Sequence, residues 1–245
     1  MLGLLYMNIL GVITARGGSK RLPGKNIKPM LGKPLICWSI EVGQQAKVFD
    51  RFILSTDDPE IASIAKKAGV EVPFLRPAEL ASDTASSYDA IVHAVEYMEK
   101  QEQFFPDWIV LLEPTAPGRQ VQHVIDVVAL TKQNIADSII GISKVSPHVN
   151  YLKQLKIGED DCVSRVTDGV ILRNLTHRNQ DIPDAYYINS AIYAFKRSNL
   201  HDGHRSLWGD RTHGFVMDTQ HSFDIDTPDD WFIAEARMKE IYPHL

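Results

Sequence analysis

Five apolar, β-rich runs alternate with four amphipathic helical runs through the first 145 residues, and this rhythm restricts the fold more than any other feature. "NILGVITA" (Asn8–Ala15), "RFILSTD" (Arg51–Asp57), "VEVPFLR" (Val70–Arg76), "DWIVLLEPTAP" (Asp107–Pro117) and "SIIGISKV" (Ser138–Val145) read as strands. "KPLICWSIEVGQQA" (Lys33–Ala46), "DPEIASIAKKAG" (Asp58–Gly69), "SDTASSYDAIVHAVEYMEKQ" (Ser82–Gln101) and "QHVIDVVALTKQN" (Gln122–Asn134) have helical spacing. Near-continuous apolar strands alternating with helices imply a mostly parallel sheet covered on both faces, a three-layer α/β/α architecture. Local signals agree: Asp58 caps a helix with Pro59 in its first turn, Gly69 suits its exit, and Pro34 suits the start of the preceding helix.

Beyond about residue 146 the rhythm stops. A polar, turn-rich segment over residues 146–188 reads as an excursion from one domain spanning 1–245. "AIYAFKRSNL" (Ala191–Leu200) resumes a strand. "HSFDIDTPDDWFIAEARMKEIY" closes with a strand, an acidic turn and a helix capped near Thr227, with Pro228 in its first turn.

Ligands of such sheets bind at the carboxyl ends of the strands. The loop after the first strand, "ITARGGSKRLPGKN" (Ile13–Asn26), lies at such an end and combines three glycines with Arg16, Lys20, Arg21 and Lys25. Glycines let backbone N–H groups approach an anion, and the cations add charge. The loop has neither the GxGxxG of dinucleotide sites nor the spacing and Ser/Thr of a Walker A loop. It therefore reads either as a triphosphate clamp for nucleotidyl transfer, chemistry that rests on positioning and charge stabilisation, or as a solvated basic loop. Asp224 and Asp226 in "FDIDT" fall on one face if extended; they suit a hard cation such as Mg²⁺, or are solvated turn and capping residues. Ser87 can bond a ligand or help cap a helix, Arg178 can meet an anionic substrate or sit in a solvated loop, and Tyr193 can face a ligand or the core. Nine histidines show no HxxxH or HExxH pair, which argues against zinc.

The formal net charge of −5 supplies no global basic field, so neither nucleic acid nor an anionic membrane is expected as a partner. Two cysteines form no framework and suit a reducing, cytoplasmic setting. The apolar start lacks a positively charged n-region and runs straight into the glycine-rich loop, so it reads as a buried strand and not a signal peptide, with Met7 the natural start and Met1–Tyr6 a disordered extension.

The blocks "ITARGGSKRLPGKNIKPMLGKPLICWSI", "FILSTDDPEIASIAKKAGVEV", "LRPAELASDTASS", "LLEPTAPGR", "NSAIYAF" and "DIDTPDDW" occur in this order, and nearly the whole chain resembles the acylneuraminate cytidylyltransferase family. The resemblance implies a nucleotide-diphospho-sugar transferase-like fold and a reaction in which CTP and a nine-carbon α-keto acid sugar give CMP-sugar and pyrophosphate. It implies that Arg16 and Lys25 hold the triphosphate with Ser19 and Lys20, and that Ala15 and Asn26 adjoin the nucleotide. Arg76, Ala85 and Ser87 would surround cytosine and ribose, and Asp224 and Asp226 would bind Mg²⁺. Asn189 and Tyr193 would face the sugar. Arg178 would act as a sugar-side catalytic group, and the excursion would serve a homodimer.

Three positions depart from the pattern. Glu113 replaces a glutamine, and an ionised carboxylate only accepts hydrogen bonds where an amide also donates. Ungapped alignment puts Asn179, not Arg178, at the arginine position. Tyr187 stands where some relatives carry arginine. All three lie on the acceptor side, which points to an acceptor other than plain N-acetylneuraminate. A cytidylyltransferase for an eight-carbon (Kdo-type) acid and a non-catalytic nucleotide-binding module are the rival readings.

Overall fold

The computed structural model describes residues 7–82, 85–174, 178 and 181–244. The expected N-terminal extension (1–6) and the Asn179 position lie outside the described residues.

Ten strands and five α-helices are present among the described residues. In chain order they are β1 (Ile9–Thr14), β2 (Pro29–Met30), β3 (Lys33–Pro34), α1 (Leu35–Ala46), β4 (Arg51–Ser55), α2 (Pro59–Lys67), α3 (Ser87–Glu102), β5 (Trp108–Leu112) and α4 (Val121–Thr131). Then follow β6 (Ser138–Lys144), β7 (Leu155–Ile157), β8 (Val163–Arg165), β9 (Tyr186–Lys196), β10 (Thr212–Val216) and α5 (Pro228–Ile241). The main sheet has the order β10-β6-β9-β5-β1-β4. All its neighbours pair in parallel except β9, which runs antiparallel between β5 and β6.

The period-two alternation of β1 explains the layers. Ile9 and Ile13 join a core with α1, α2 and α4, whereas Leu10 and Val12 join the opposite core against α3. A third cluster binds the C-terminal helix to the β2–β3 corner: Ile225, Trp231, Ala234 and Met238 pack with Leu22, Met30, Leu35 and Trp38. That contact brings residues 225–238 beside the first loop, although some 200 positions separate them in sequence.

The caps of α2 and α5 match expectation. Asp58 accepts from the backbone of Glu60 and Ile61, and Thr227 and Asp230 form a reciprocal capping box. Four expectations need correction. "VEVPFLR" is not a strand: Glu71 alone bridges to Ile53, because Pro73 has no N–H to donate and the chain leaves the sheet edge. Pro34 precedes the first turn of α1 instead of sitting in it. The segment before the acidic turn forms no ladder, its backbone contact with the sheet side being Ile225 N–H to the Thr115 carbonyl at 3.0 Å. The last strand is instead β10, which pairs with β6 and which the sequence does not announce. The strand at Ala191 also begins earlier, at Tyr186, because it has a partner on each side.

Candidate active site

A cleft of about 610 Å³ opens at the carboxyl ends of β1 and β5. Its walls include Arg16, Ser19, Lys20, Lys25, Asn26, Arg76, Ala85, Ser87, Glu113 and Asp226, so ten of the positions singled out in the sequence meet in one place.

The first loop is held by its own side chains. Gly24, at φ 65°, turns the chain into the short helical turn Lys25–Ile27, a backbone conformation that favours glycine. Asn26 is buried and donates from Nδ2 to the Arg16 carbonyl at 3.1 Å, which closes the loop on itself. Arg16 donates from Nη1 to the Ser82 carbonyl at 3.2 Å and so links the loop to the segment that leads into α3. Lys25 reaches across to the acidic turn, donating from Nζ to the Ile225 carbonyl at 2.6 Å and to Asp226 Oδ1 at 3.1 Å. Arg21 lies 3.5 Å from the other oxygen of Asp226. The first turn of α3, with Ser86 capping through the Asp89 N–H, lines the opposite wall and offers a helix N-terminus to an anion.

Arg76 is buried and pairs with Asp57 at 3.4 Å, while Asp57 also accepts from the Gly17 N–H at 3.2 Å. Burial lowers the Arg76 pKa, and the Asp57 carboxylate opposes that shift. Its Nε has no partner. A guanidinium with unused donors at the wall of a cleft is suited to a polar ligand.

Glu113 follows β5 and keeps one face on the cleft, with protein around the rest of its carboxyl. Burial, and then the nearby Asp224 charge, push its pKa up to about 7, although Arg119, Lys25 and Arg76 pull it down. Beneath it lies Arg119, 1% exposed, which no sequence motif marks. Its guanidinium donates to the Glu113 carbonyl at 3.2 Å, to the Ala191 carbonyl and to Ser39 Oγ, and burial lowers its pKa to about 10. Arg119 thus pins the cleft floor to α1 and β9. Its place in "EPTAPGR" was visible, but no local pattern tells which distant carbonyls an arginine will clamp.

The other predicted residues divide. Ala15 is buried beside the loop and forms no part of the cleft wall. Asp224 does not line the cleft: its Oδ1 is buried without a partner, and burial raises its pKa. Tyr193 packs near Trp208, with ring centroids 5.5 Å apart, and burial raises its pKa. Asn189 is buried and its amide is fully engaged inside the protein, so it does not reach the cleft wall. Arg178 is exposed in the excursion and is not among the lining residues.

An orphaned carboxylate oxygen on Asp224, with Asp226 two residues on at the cleft, fits a hard cation completed by phosphate oxygens. No cluster of three or more His, Cys, Asp or Glu side chains suited to a metal exists among the described residues. An ion here would therefore depend on its ligand for most of its shell.

A glycine-rich basic loop, a buried guanidinium and an acidic turn at the strand ends of this sheet define a nucleotidyltransferase fold. The same fold is seen in CMP:2-keto-3-deoxy-manno-octonic acid synthetase complexed with CTP, with a TM-score of 0.69 at 19% identity over 96% of this chain and 99% of that one. The chain belongs to the cytidylyltransferase family, whose model matches residues 10–238. It is 30% identical to the CMP-N,N'-diacetyllegionaminic acid synthase of Legionella pneumophila, over 95% of this chain and 97% of that protein. It is 32% identical to a pseudaminic acid cytidylyltransferase of Campylobacter jejuni, again over 95% and 97%.

Proposed function

We propose that the protein transfers CMP from CTP to the anomeric hydroxyl of a nine-carbon α-keto acid sugar of the sialic, legionaminic or pseudaminic type, releasing pyrophosphate. The observation that carries this is the convergence of Arg16, Lys20, Lys25 and Arg76 on one cleft with Asp226 at its edge, in a chain of the cytidylyltransferase family. The sugar oxygen attacks the α-phosphorus, a new P–O bond forms, and the bond to the β-phosphate bridging oxygen breaks. Arg16 and Lys25, with Ser19 and Lys20, bind the triphosphate and stabilise charge as it moves onto the leaving group. Asn26 keeps the loop closed around it. Arg76, Ala85 and Ser87 flank the nucleoside.

Asp224 and Asp226 would hold Mg²⁺, which when bound neutralises phosphate charge. Lys25 Nζ lies 3.1 Å from Asp226 Oδ1, so the triphosphate clamp and the acidic turn are in direct contact.

Glu113 bears on the acceptor. With a pKa of about 7, the Glu113 carboxyl accepts and, when protonated, also donates at the cleft floor in place of an amide, and this change supports an acceptor other than plain N-acetylneuraminate. The excursion supports a homodimer, because Val149 (63% exposed), Ile157 (73%) and Ile171 (53%) leave apolar surface in need of cover. Two free cysteines and a net negative charge suit a reducing cytoplasmic setting. No helix among the described residues is long and apolar enough to cross a membrane.

The test is an acceptor panel with CTP and Mg²⁺: N-acetylneuraminate, diacetyl-legionaminic acid, pseudaminic acid and an eight-carbon keto acid, with products weighed by mass spectrometry. A CMP adduct of legionaminic or pseudaminic acid is expected in preference to the others. Clear preference for N-acetylneuraminate overturns the Glu113 argument, and preference for the eight-carbon acid overturns the acceptor class.

A further inference from the structure

The acidic turn that carries Asp224 and Asp226 has little backbone attachment, and two side chains of β9 tie its approach to the sheet. Tyr187 donates its hydroxyl to the Ser222 carbonyl at 3.4 Å. Asn189 donates from Nδ2 to Ser222 Oγ at 3.2 Å and to Ser143 Oγ at 3.1 Å. β9 reaches the turn by breaking its ladder: the register with β6 shifts between Ile140 and Ile142, and Ser190 adopts φ 57°. A non-glycine residue in that region is strained, and such strain persists only where the surroundings impose it.

The network is closed and dry. Asn189 is 3% exposed, and its Oδ1 accepts from the Ala191 N–H at 3.1 Å. The Ser143 hydroxyl, also buried, sits 2.5 Å from Ser222 Oγ and 2.9 Å from the Met217 carbonyl. Ser222 in turn donates to the Asp218 carbonyl at 2.9 Å. The network therefore spans the whole path from the end of β10 to Ser222, two residues before Asp224. Gly141 makes room for it, because a Cβ there would lie 2.6 Å from Asn189 Oδ1. Directional polar bonds of this kind fix an orientation that apolar packing alone would leave loose.

We infer that Asn189 and Ser222 are positioning residues for the cation-binding carboxylates: the Ser143–Asn189–Ser222 clip sets the acidic turn so that the Asp224 oxygen is kept away from the protein's own donors and left for a divalent cation. The inference rests on the cytidylyltransferase reading, and on Asp224 and Asp226 as the carboxylates that meet the cation. It gives Asn189 a role behind the metal site and not against the sugar. Outer-shell hydrogen bonds to metal ligands typically carry about 10- to 100-fold in metal affinity.

The experiment measures two affinities of the full chain: Mn²⁺ binding in the presence of CTP, from the loss of the free-ion signal in electron paramagnetic resonance, and metal-free CTP binding by calorimetry. Ser222→Ala and Asn189→Ala remove parts of the clip, and Gly141→Ala presses on it without removing a polar group. Melting curves identify the folded variants. In these, Mn²⁺ affinity is expected to fall about ten-fold or more, with metal-free CTP affinity held within about three-fold, a split that general loosening of the fold would not produce. Wild-type Mn²⁺ affinity in the folded variants overturns the positioning role alone, as does a defect confined to the KM of the acceptor sugar. A wild-type protein that binds neither CTP nor Mn²⁺ with CTP overturns the cytidylyltransferase reading and the positioning role with it.

Discussion

The nucleotide half of the molecule and the excursion over residues 146–188 handle the same kinds of side chain in opposite ways. In the nucleotide half, apolar side chains are inside and the key cations are anchored by the chain's own acceptors: Lys25 by Ile225 and Asp226, Arg76 by Asp57, Arg119 by two carbonyls and a hydroxyl. In the excursion, all three residues of β7 are exposed, and the best-buried charge, Arg165, pairs with Asp168 only three residues away. The first region is complete as a single chain. The second, among the described residues, has local bonds and leaves apolar side chains such as Val149, Ile157 and Ile171 exposed, the surface on which the proposed homodimer rests.

The sharpest break in that comparison is Arg119→Ala. It leaves the Ala191 and Glu113 carbonyls short of a donor and opens a void under the cleft, and is expected to cost roughly 3 kcal/mol or more in urea unfolding. A cost below about 1 kcal/mol would mean the nucleotide half is not organised around that clamp.

Next comes Arg16→Ala, which is expected to lower turnover by about 10²- to 10³-fold. Urea unfolding should move by less than about 1 kcal/mol, since this half-buried side chain lines the cleft wall and lies outside the hydrophobic cores. Asp226→Asn should behave alike at saturating Mg²⁺. Normal turnover in either would remove the proposed roles.

A charge placed in the excursion should do the reverse. The double change Val149→Asp and Ile157→Asp is expected to shift light-scattering mass from two chains to one while metal-free CTP binding persists. A single-chain mass in the wild type would contradict the reading of that surface.

The smallest effect is in pH dependence. The folded pKa of Glu113 is raised to about 7, so its contribution to stability is fully present below about pH 4.5 and is lost as pH rises through 7. His123, whose folded pKa burial lowers to about 4, works in the opposite sense, gaining from pH 4 upward, and is common to both proteins compared. The difference in melting temperature between Glu113→Gln and wild type is therefore expected to grow in favour of the variant from pH 5 to pH 8. A constant difference would show that the Glu113 carboxyl ionises as it does in water.

These contrasts also mark what could be read from the sequence. Local signals were legible: Asp58 before Pro59, Thr227 before Pro228, and the near-continuous apolar runs of β1 and β5. So were the cleft positions in the first loop and in "RPAELASDTASS", since the loops that follow the strands open at one end of a parallel sheet. What failed was long-range. β10 has too little apolar periodicity to declare itself and exists because β6 has a free edge to pair. Pro73 ended a strand that composition favoured. Arg119 and Asn189 resembled ligand-facing residues or nothing in particular, and only the folded chain supplies the carbonyls and hydroxyls that claim them.

The central claim is tested most directly by pyrophosphate release from CTP in the presence of Mg²⁺, followed with and without diacetyl-legionaminic or pseudaminic acid and repeated with UTP and ATP. The account predicts release with CTP that requires one of these acids, and little with the other nucleotides. Release that ignores the acid, or none from CTP with any nine-carbon keto acid, would contradict it.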